Sequence, residues 1–296
     1  MRPPGLNAVE AVRAEGESLA ARLPPLLLAA KRVAATVAQG VHGRRRVGPG
    51  DSFWQFRRHQ PGDAAEQIDW RQSARSMHLF VRETEWAAAQ SAWLWRDPSA
   101  SMDWCSEIAL PRKGERADLL LLALAALLLR AGERVALLGD RTPPTSGRAV
   151  LERLAVTLLS APKGGGLPPE AELPRHAQIV LFGDFLEPFD RLEARLAELA
   201  GKGVRGLLLR IEDPAEARFP FQGRLRFEGL EGEAPIPIDQ AEELAPAYRR
   251  RLAAHEVALA DFCRRLGWGL IRHATDTPPT TALLALHQAL AEDRRR

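Results

Sequence analysis

From residue 114 onward, two kinds of apolar segment alternate along the chain. Stretches of a dozen residues or more with helical spacing cover 114–131, 147–160, 188–201, 241–266 and 280–294. Between them stand short runs: RVALLGD (134–140), AQIVLFGDF (177–185), VRGLLLRI (204–211) and GLIRH (269–273). Short apolar strands separated by helices predict repeated βαβ units. Strands without polar alternation predict a parallel sheet covered on both faces. Upstream, HLFVRETEWAAAQSAWLWR (78–96) predicts one long strand or two short ones. The expected fold is an open, doubly wound, mostly parallel α/β sheet. Residues 213–240 interrupt the alternation, and RLRFEGLEGEAPIPI within them predicts a small inserted β-hairpin. At the other end, residues 7–39 predict one helix before Pro24–Pro25 and another after them, with a loop-like stretch over 40–66. This divides the chain into an N-terminal helical and loop segment, 1–86, packed on an α/β domain, 87–296.

Composition narrows the class. At 46% hydrophobic and 27% charged residues, the chain reads as an ordinary soluble globular protein. Its longest apolar run, LLLLALAALLL (119–129), would rise only about 16 Å as a helix. A membrane span needs roughly 20 residues, so a buried helix is expected. The N-terminus has no apolar core of the secretory kind. Two distant cysteines, Cys105 and Cys263, fit a reducing compartment. Together these predict a cytoplasmic protein. Net charge is only +3, but residues 1–86 carry 13 Lys/Arg against 9 Asp/Glu. The sharpest basic spot is Arg44, Arg45 and Arg46 in a Gly/Pro-rich loop. It reads as a solvated loop, a surface for an acidic protein or a nucleic-acid patch. No basic helix or stacking platform accompanies it, which disfavours nucleic acid.

The candidate chemistry sits in LWRDPSASM (94–102). In a doubly wound sheet, ligands bind beyond the carboxyl ends of the strands, and Asp97, Ser99 and Ser101 fall just there. Hard cations take carboxylate, hydroxyl and water oxygens, and a tight loop can aim residues i, i+2 and i+4 at one point. Asp184 ends a second strand, IVLFGD. If the two strands are neighbours, both acids line one crevice. The alternative is that Asp97 and the serines cap a helix and satisfy loop amides.

Asp97-x-Ser99-x-Ser101-Met102 resembles the metal-ion-dependent adhesion motif of von Willebrand factor A-like domains. FRRHQPGDAAEQIDWRQSAR (56–75) and LFVRETE (79–85) resemble the signature of the bacterial family catalogued as domain of unknown function 58. DPAEARFPFQGRLRFEGLEGE and HATDTPPTTALLAL resemble its downstream blocks, so the likeness covers nearly the whole chain after about residue 20. It implies a von Willebrand factor A-like fold and a non-enzymatic accessory role beside a MoxR-type AAA+ ATPase, chaperone-like or regulatory. It also implies Mg²⁺ or Mn²⁺ held by Asp97, Ser99 and Ser101 with outer support from Asp184, water completing the shell and a partner's acidic side chain as a further ligand. One departure stands out. Folds of this kind place a threonine in a second loop, and the matching stretch here, SAPKGGGLPP, has none.

The block QPGDAAEQIDWRQSAR reads in two ways. Asp63, Asp69, Arg71 and Arg75 could form a buried ion-pair network with Trp70 filling a hole. The other reading is a docking surface of Arg44, Arg45, Arg46, Arg57, Arg58, Trp70 and Arg71. Six of the seven tryptophans lie between Trp54 and Trp104, and Trp and Arg are common interface anchors. Enzyme motifs are missing. Ser99 is flanked by Pro98 and Ala100 instead of the glycines of a nucleophile elbow. The GGGLPP stretch lacks the lysine and hydroxyl of a phosphate loop. No dinucleotide fingerprint follows the first strand, and His59, His78, His176 and His273 show no ligand spacing. A metal-dependent phosphatase or nuclease built on Asp97 and Asp184 is the enzymatic alternative.

Overall fold

A single sheet of five parallel strands carries the candidate site. The computed structural model describes residues 21–39, 53–58, 70–75, 78–84, 91–230 and 232–293. In chain order the sheet strands are β3 (Ser91–Arg96), β4 (Arg134–Leu137), β5 (Gln178–Gly183), β6 (Arg205–Glu212) and β9 (Gly269–Ala274), arranged β4-β3-β5-β6-β9. All four pairings are parallel. The order reverses between β3 and β5: the chain leaves β3 for β4 on one side and returns to β5 on the other. That reversal opens a crevice at the carboxyl ends of these two strands.

The sheet is buried on both faces, as the apolar strands predict. On one face Ala92, Leu94, Val180, Phe182 and Leu209 pack under α1 (residues 21–39), α3 (Lys113–Arg130), α4 (Arg148–Leu159) and α8 (Pro279–Asp293). On the other, Trp95, Ile179, Leu181 and Leu208 pack under α5 (Phe189–Gly201) and α7 (Ala241–Leu266). The alternation along β3 and β5 follows from the two-residue period of a strand. The run 119–129 is the centre of α3, and Leu120 to Ala125 within it are fully buried. Among the described residues no helix is long and apolar enough to cross a membrane. From α1, Leu27, Ala30, Ala34 and Val37 join the same core.

Several local expectations need correction. Pro24 and Pro25 do not break a helix; both lie inside α1. The loop-like stretch 40–66 contains β1 (Phe53–Arg58), antiparallel to β2 (Phe80–Thr84) in a separate two-stranded sheet. Residues 78–96 thus supply two strands, β2 and β3, in different sheets. Trp70 fills no hole: it opens the four-residue helix α2 (Trp70–Ser73) and is 64% exposed. Arg71 and Arg75 are exposed as well, which leaves no buried network for them to join, and Asp63 and Asp69 lie outside the described residues. The hairpin within 213–240 is present as β7 (Leu225–Phe227) and β8 (Ile236–Ile238), antiparallel. A short helix, α6 (Pro214–Arg218), precedes it. Asp213 accepts from Ala215 N at 2.8 Å, and Glu216 accepts from Asp213 N at 2.9 Å. This reciprocal cap is what a D-P-x-E sequence encodes.

Candidate functional site

The two carboxylates singled out in the sequence meet at the strand-order reversal. Asp97 N donates to Phe182 O at 2.8 Å, extending the β3–β5 pairing one residue past β3. The carboxylate of Asp97 then turns back, and its Oδ1 accepts from Ser99 N at 2.8 Å. Residues Ala100–Asp103 wind into one 3₁₀ turn that buries Met102. Gly183 explains why Asp97 can lie so close to β5: a Cβ there would stand 2.9 Å from Asp97 Cβ. The glycine-rich stretch after α4 closes over the loop, with Gly164 N donating to Pro98 O at 3.1 Å.

The hydroxyls and acids form a chain. Ser101 Oγ donates to Asp184 Oδ2 at 2.7 Å, and Ser99 and Ser101 hydroxyls stand 2.9 Å apart. Since Ser101 spends its proton on Asp184, Ser99 donates to Ser101. Asp184 Oδ1 accepts from Leu186 N at 3.2 Å. Two residues absent from the sequence-based site complete the cluster. Lys113, the first residue of α3 and 1% exposed, points its ammonium at Asp184 Oδ2 (2.8 Å) and at Glu216 Oε1 of α6 (2.5 Å). The signals for them were faint: a lysine where a helix start prefers an acid, and the glutamate of a capping box.

Burial disfavours the Lys113 charge, yet the two carboxylates outweigh it and hold the ammonium above its ordinary range. Burial would likewise raise Asp184, but Lys113 and the hydrogen bonds it receives keep it below the usual carboxylate value. Glu216 is shifted up, chiefly by burial. Asp97 is the uncompensated member. It is 1% exposed, its Oδ2 has no partner, and burial together with the Asp184 charge pushes its pKa up to about 6. A folded-state pKa above the unfolded one stabilises the fold below the unfolded value and is lost as pH rises through the folded value. Asp97 therefore withdraws about 3 kcal/mol between pH 4 and pH 7. Asp97→Asn keeps the acceptor for Ser99 N and removes the charge. Urea unfolding is expected to show the variant level with the wild type at pH 4 and more stable at pH 7.5; a difference independent of pH would refute this account.

The residues answer unevenly to a divalent ion. Asp97 Oδ2 is the orphaned oxygen such an ion would want. Asp184 Oδ2, however, already receives an ammonium and a hydroxyl. A second cation on the same oxygen would face the buried Lys113 charge at very short range. Among the described residues no group of three or more His, Cys, Asp and Glu is arranged to hold a metal. With Lys113 in place, the cluster does not fit a resident divalent ion.

Of the other candidate residues, Trp70 and Arg71 are not among those lining this crevice. Arg44, Arg45 and Arg46 lie outside the described residues. Arg57 and Arg58 are on β1, paired with Val81 and Phe80, and Trp70 and Arg71 are exposed residues of α2. A different neighbour does reach it: a groove of about 960 Å³ runs from Ser101, Lys113 and Asp184 to an apolar wall built by α6, the β7–β8 hairpin and α7. Phe219, Phe221, Phe227 and Tyr248 pack ring against ring along that wall.

Known proteins resemble the chain along most of its length. An uncharacterized protein of Mycobacterium tuberculosis (strain H37Rv), Rv1480, is 28% identical over 277 residues, covering 87% of this chain and 85% of its own. The uncharacterized protein Mb1516 of Mycobacterium bovis matches with the same figures. Among solved structures, a conserved hypothetical protein BatB from Bacteroides thetaiotaomicron is similar with a TM-score of 0.43 and 16% identity, covering 70% of this chain and all of that one. An aerotolerance-related membrane protein from Bacteroides fragilis gives a TM-score of 0.41 at 17% identity, covering 69% of this chain and 99% of that one. The model of the family described as protein of unknown function DUF58 matches residues 55–258. More than half of the chain lies in that match, and the protein belongs to the DUF58 family.

Proposed function

We propose that this protein is a non-enzymatic interaction module with a von Willebrand factor A-like α/β fold, and that its partner protein docks at the carboxyl edge of the sheet, over the groove beside Lys113 and Asp184. The observation that carries the reading is the groove's wall. Leu186, Leu230, Ile236 and Leu244 all line it, and each is 39–59% exposed. Large apolar side chains gathered around one concave surface mark a binding face. The serines beside it are not set up as nucleophiles, because their hydroxyls are committed to each other and to Asp184. By the family resemblance, the partner is a MoxR-type AAA+ ATPase, and the role is accessory or regulatory.

The test is binding of a purified MoxR-type ATPase from the same genome, by biolayer interferometry. Ile236→Asp and Leu244→Asp place a charge on exposed positions of the wall, so the fold is expected to keep its unfolding temperature. Each is expected to weaken binding about 10-fold or more, the range of an interface anchor. No binding by the wild type would sink the partner assignment. Binding that ignores both substitutions would sink the groove as the docking face.

A further inference from the structure

We infer that Lys113 is a tethered cation that takes the place of a divalent ion at the D-x-S-x-S crevice, so that the site is metal-independent in this protein and a metal site is latent beneath the lysine. Three observations converge on this. The ammonium is where the positive charge of the crevice is needed: it touches the acid that ends β5 and the acid that caps α6, and its side chain is 1% exposed. It stands there against local preference, since the first turn of a helix favours negative side chains. Finally, the hydroxyl chain is ordered around it. Asp184 Oδ2 accepts from both Lys113 and Ser101, which fixes the direction of the Ser99–Ser101 bond. The remaining oxygens are those a hard cation would use: Asp97 Oδ2, buried and unpartnered, and the two serine hydroxyls.

This charge cannot dissociate. A chelator has nothing to remove, and no coordination position is left open for a partner's acidic side chain. Removing the ammonium would leave the Asp97 and Asp184 carboxylates beside two hydroxyls, the hard-oxygen chemistry that Mg²⁺ and Mn²⁺ take. The inference does not depend on the identity of the docking partner, and its test uses no partner.

The probe is Mn²⁺ alone with the full chain, read as the loss of the free-ion electron paramagnetic resonance signal and as a shift in unfolding temperature. The wild type is expected to bind no stoichiometric Mn²⁺ at 0.1 mM, roughly the scale of a weak site. Lys113→Ala is expected to bind one Mn²⁺ at least 10-fold more tightly than the wild type and to be stabilised by it. Adding Asp184→Asn to that variant is expected to abolish both effects. One tightly bound Mn²⁺ in the wild type, lost in Asp97→Asn, would overturn the inference, and this arm needs no lysine variant to fold. Equal Mn²⁺ affinity in Lys113→Ala and wild type would overturn it too.

Discussion

Lys113→Met is expected to lower the free energy of unfolding by about 3–5 kcal/mol at neutral pH, the cost of breaking a buried ion pair by removing one partner. Methionine nearly matches the lysine stem in length, so packing around the 1%-exposed side chain changes little. What changes is that Asp184 and Glu216 lose their cation while staying out of water. Asp184 then joins Asp97 as a carboxylate whose folded pKa lies above its unfolded one. Such groups stabilise at low pH and destabilise as pH rises through the folded value. The deficit is therefore expected to be largest above pH 7 and to shrink toward pH 4. Urea titrations of both proteins at pH 4.5, 6 and 7.5 measure this. A deficit that stays constant with pH would mean that lost packing, not charge, is responsible.

Arg116→Met is expected to cost about 3 kcal/mol, because charged hydrogen bonds are lost and the Thr275 carbonyl stays buried without a donor. From α3, Arg116 donates to Thr275 O at 2.9 Å and to Thr277 O at 2.6 Å. It also approaches His273 Nε2 at 3.0 Å, which makes that nitrogen the acceptor and leaves Nδ1–H to face Thr277 Oγ1 at 3.0 Å. One guanidinium thus fixes the turn between β9 and α8. Burial and then the Arg116 charge lower the His273 pKa to about 4. A depressed histidine holds its stabilisation above its ordinary value of 6.5 and loses it as pH falls toward 4, a loss of about 3 kcal/mol in the wild type. In Arg116→Met, an NMR titration of His273 is expected to move up from about 4 while remaining below 6.5, since burial persists. An unchanged titration would remove Arg116 as a cause.

The positions of Asp97 and Asp184 were legible in the sequence because each closely follows an apolar strand run (Ala92–Trp95 and Ile179–Phe182), and strand ends in a doubly wound sheet gather at one edge. Their adjacency needed only the reversal between β3 and β5. Lys113 and Glu216 were not legible as partners. They are set by how α3 starts and by a five-residue helix inside a segment read as hairpin alone, and polar pairing has no periodicity to betray it. β1 was hidden for a different reason: six strand residues stand between glycine- and proline-rich stretches that dominate any local reading. Trp70 misled because an aromatic residue inside a dense motif suggests burial, whereas its helix is too short to carry it into a core.

The Lys113 cluster also bears on how the chain assembles. Its ammonium bonds acids 71 and 103 residues away, and Ser101 reaches across 83 residues to the same Asp184. No local nucleus can satisfy these groups; loop closure over such separations is slow and comes late. A nascent chain that has not yet delivered Glu216 carries the lysine only half compensated. The cluster is then a checkpoint on completeness, its charges quiet only once β3, β5 and β6 have aligned in their native order.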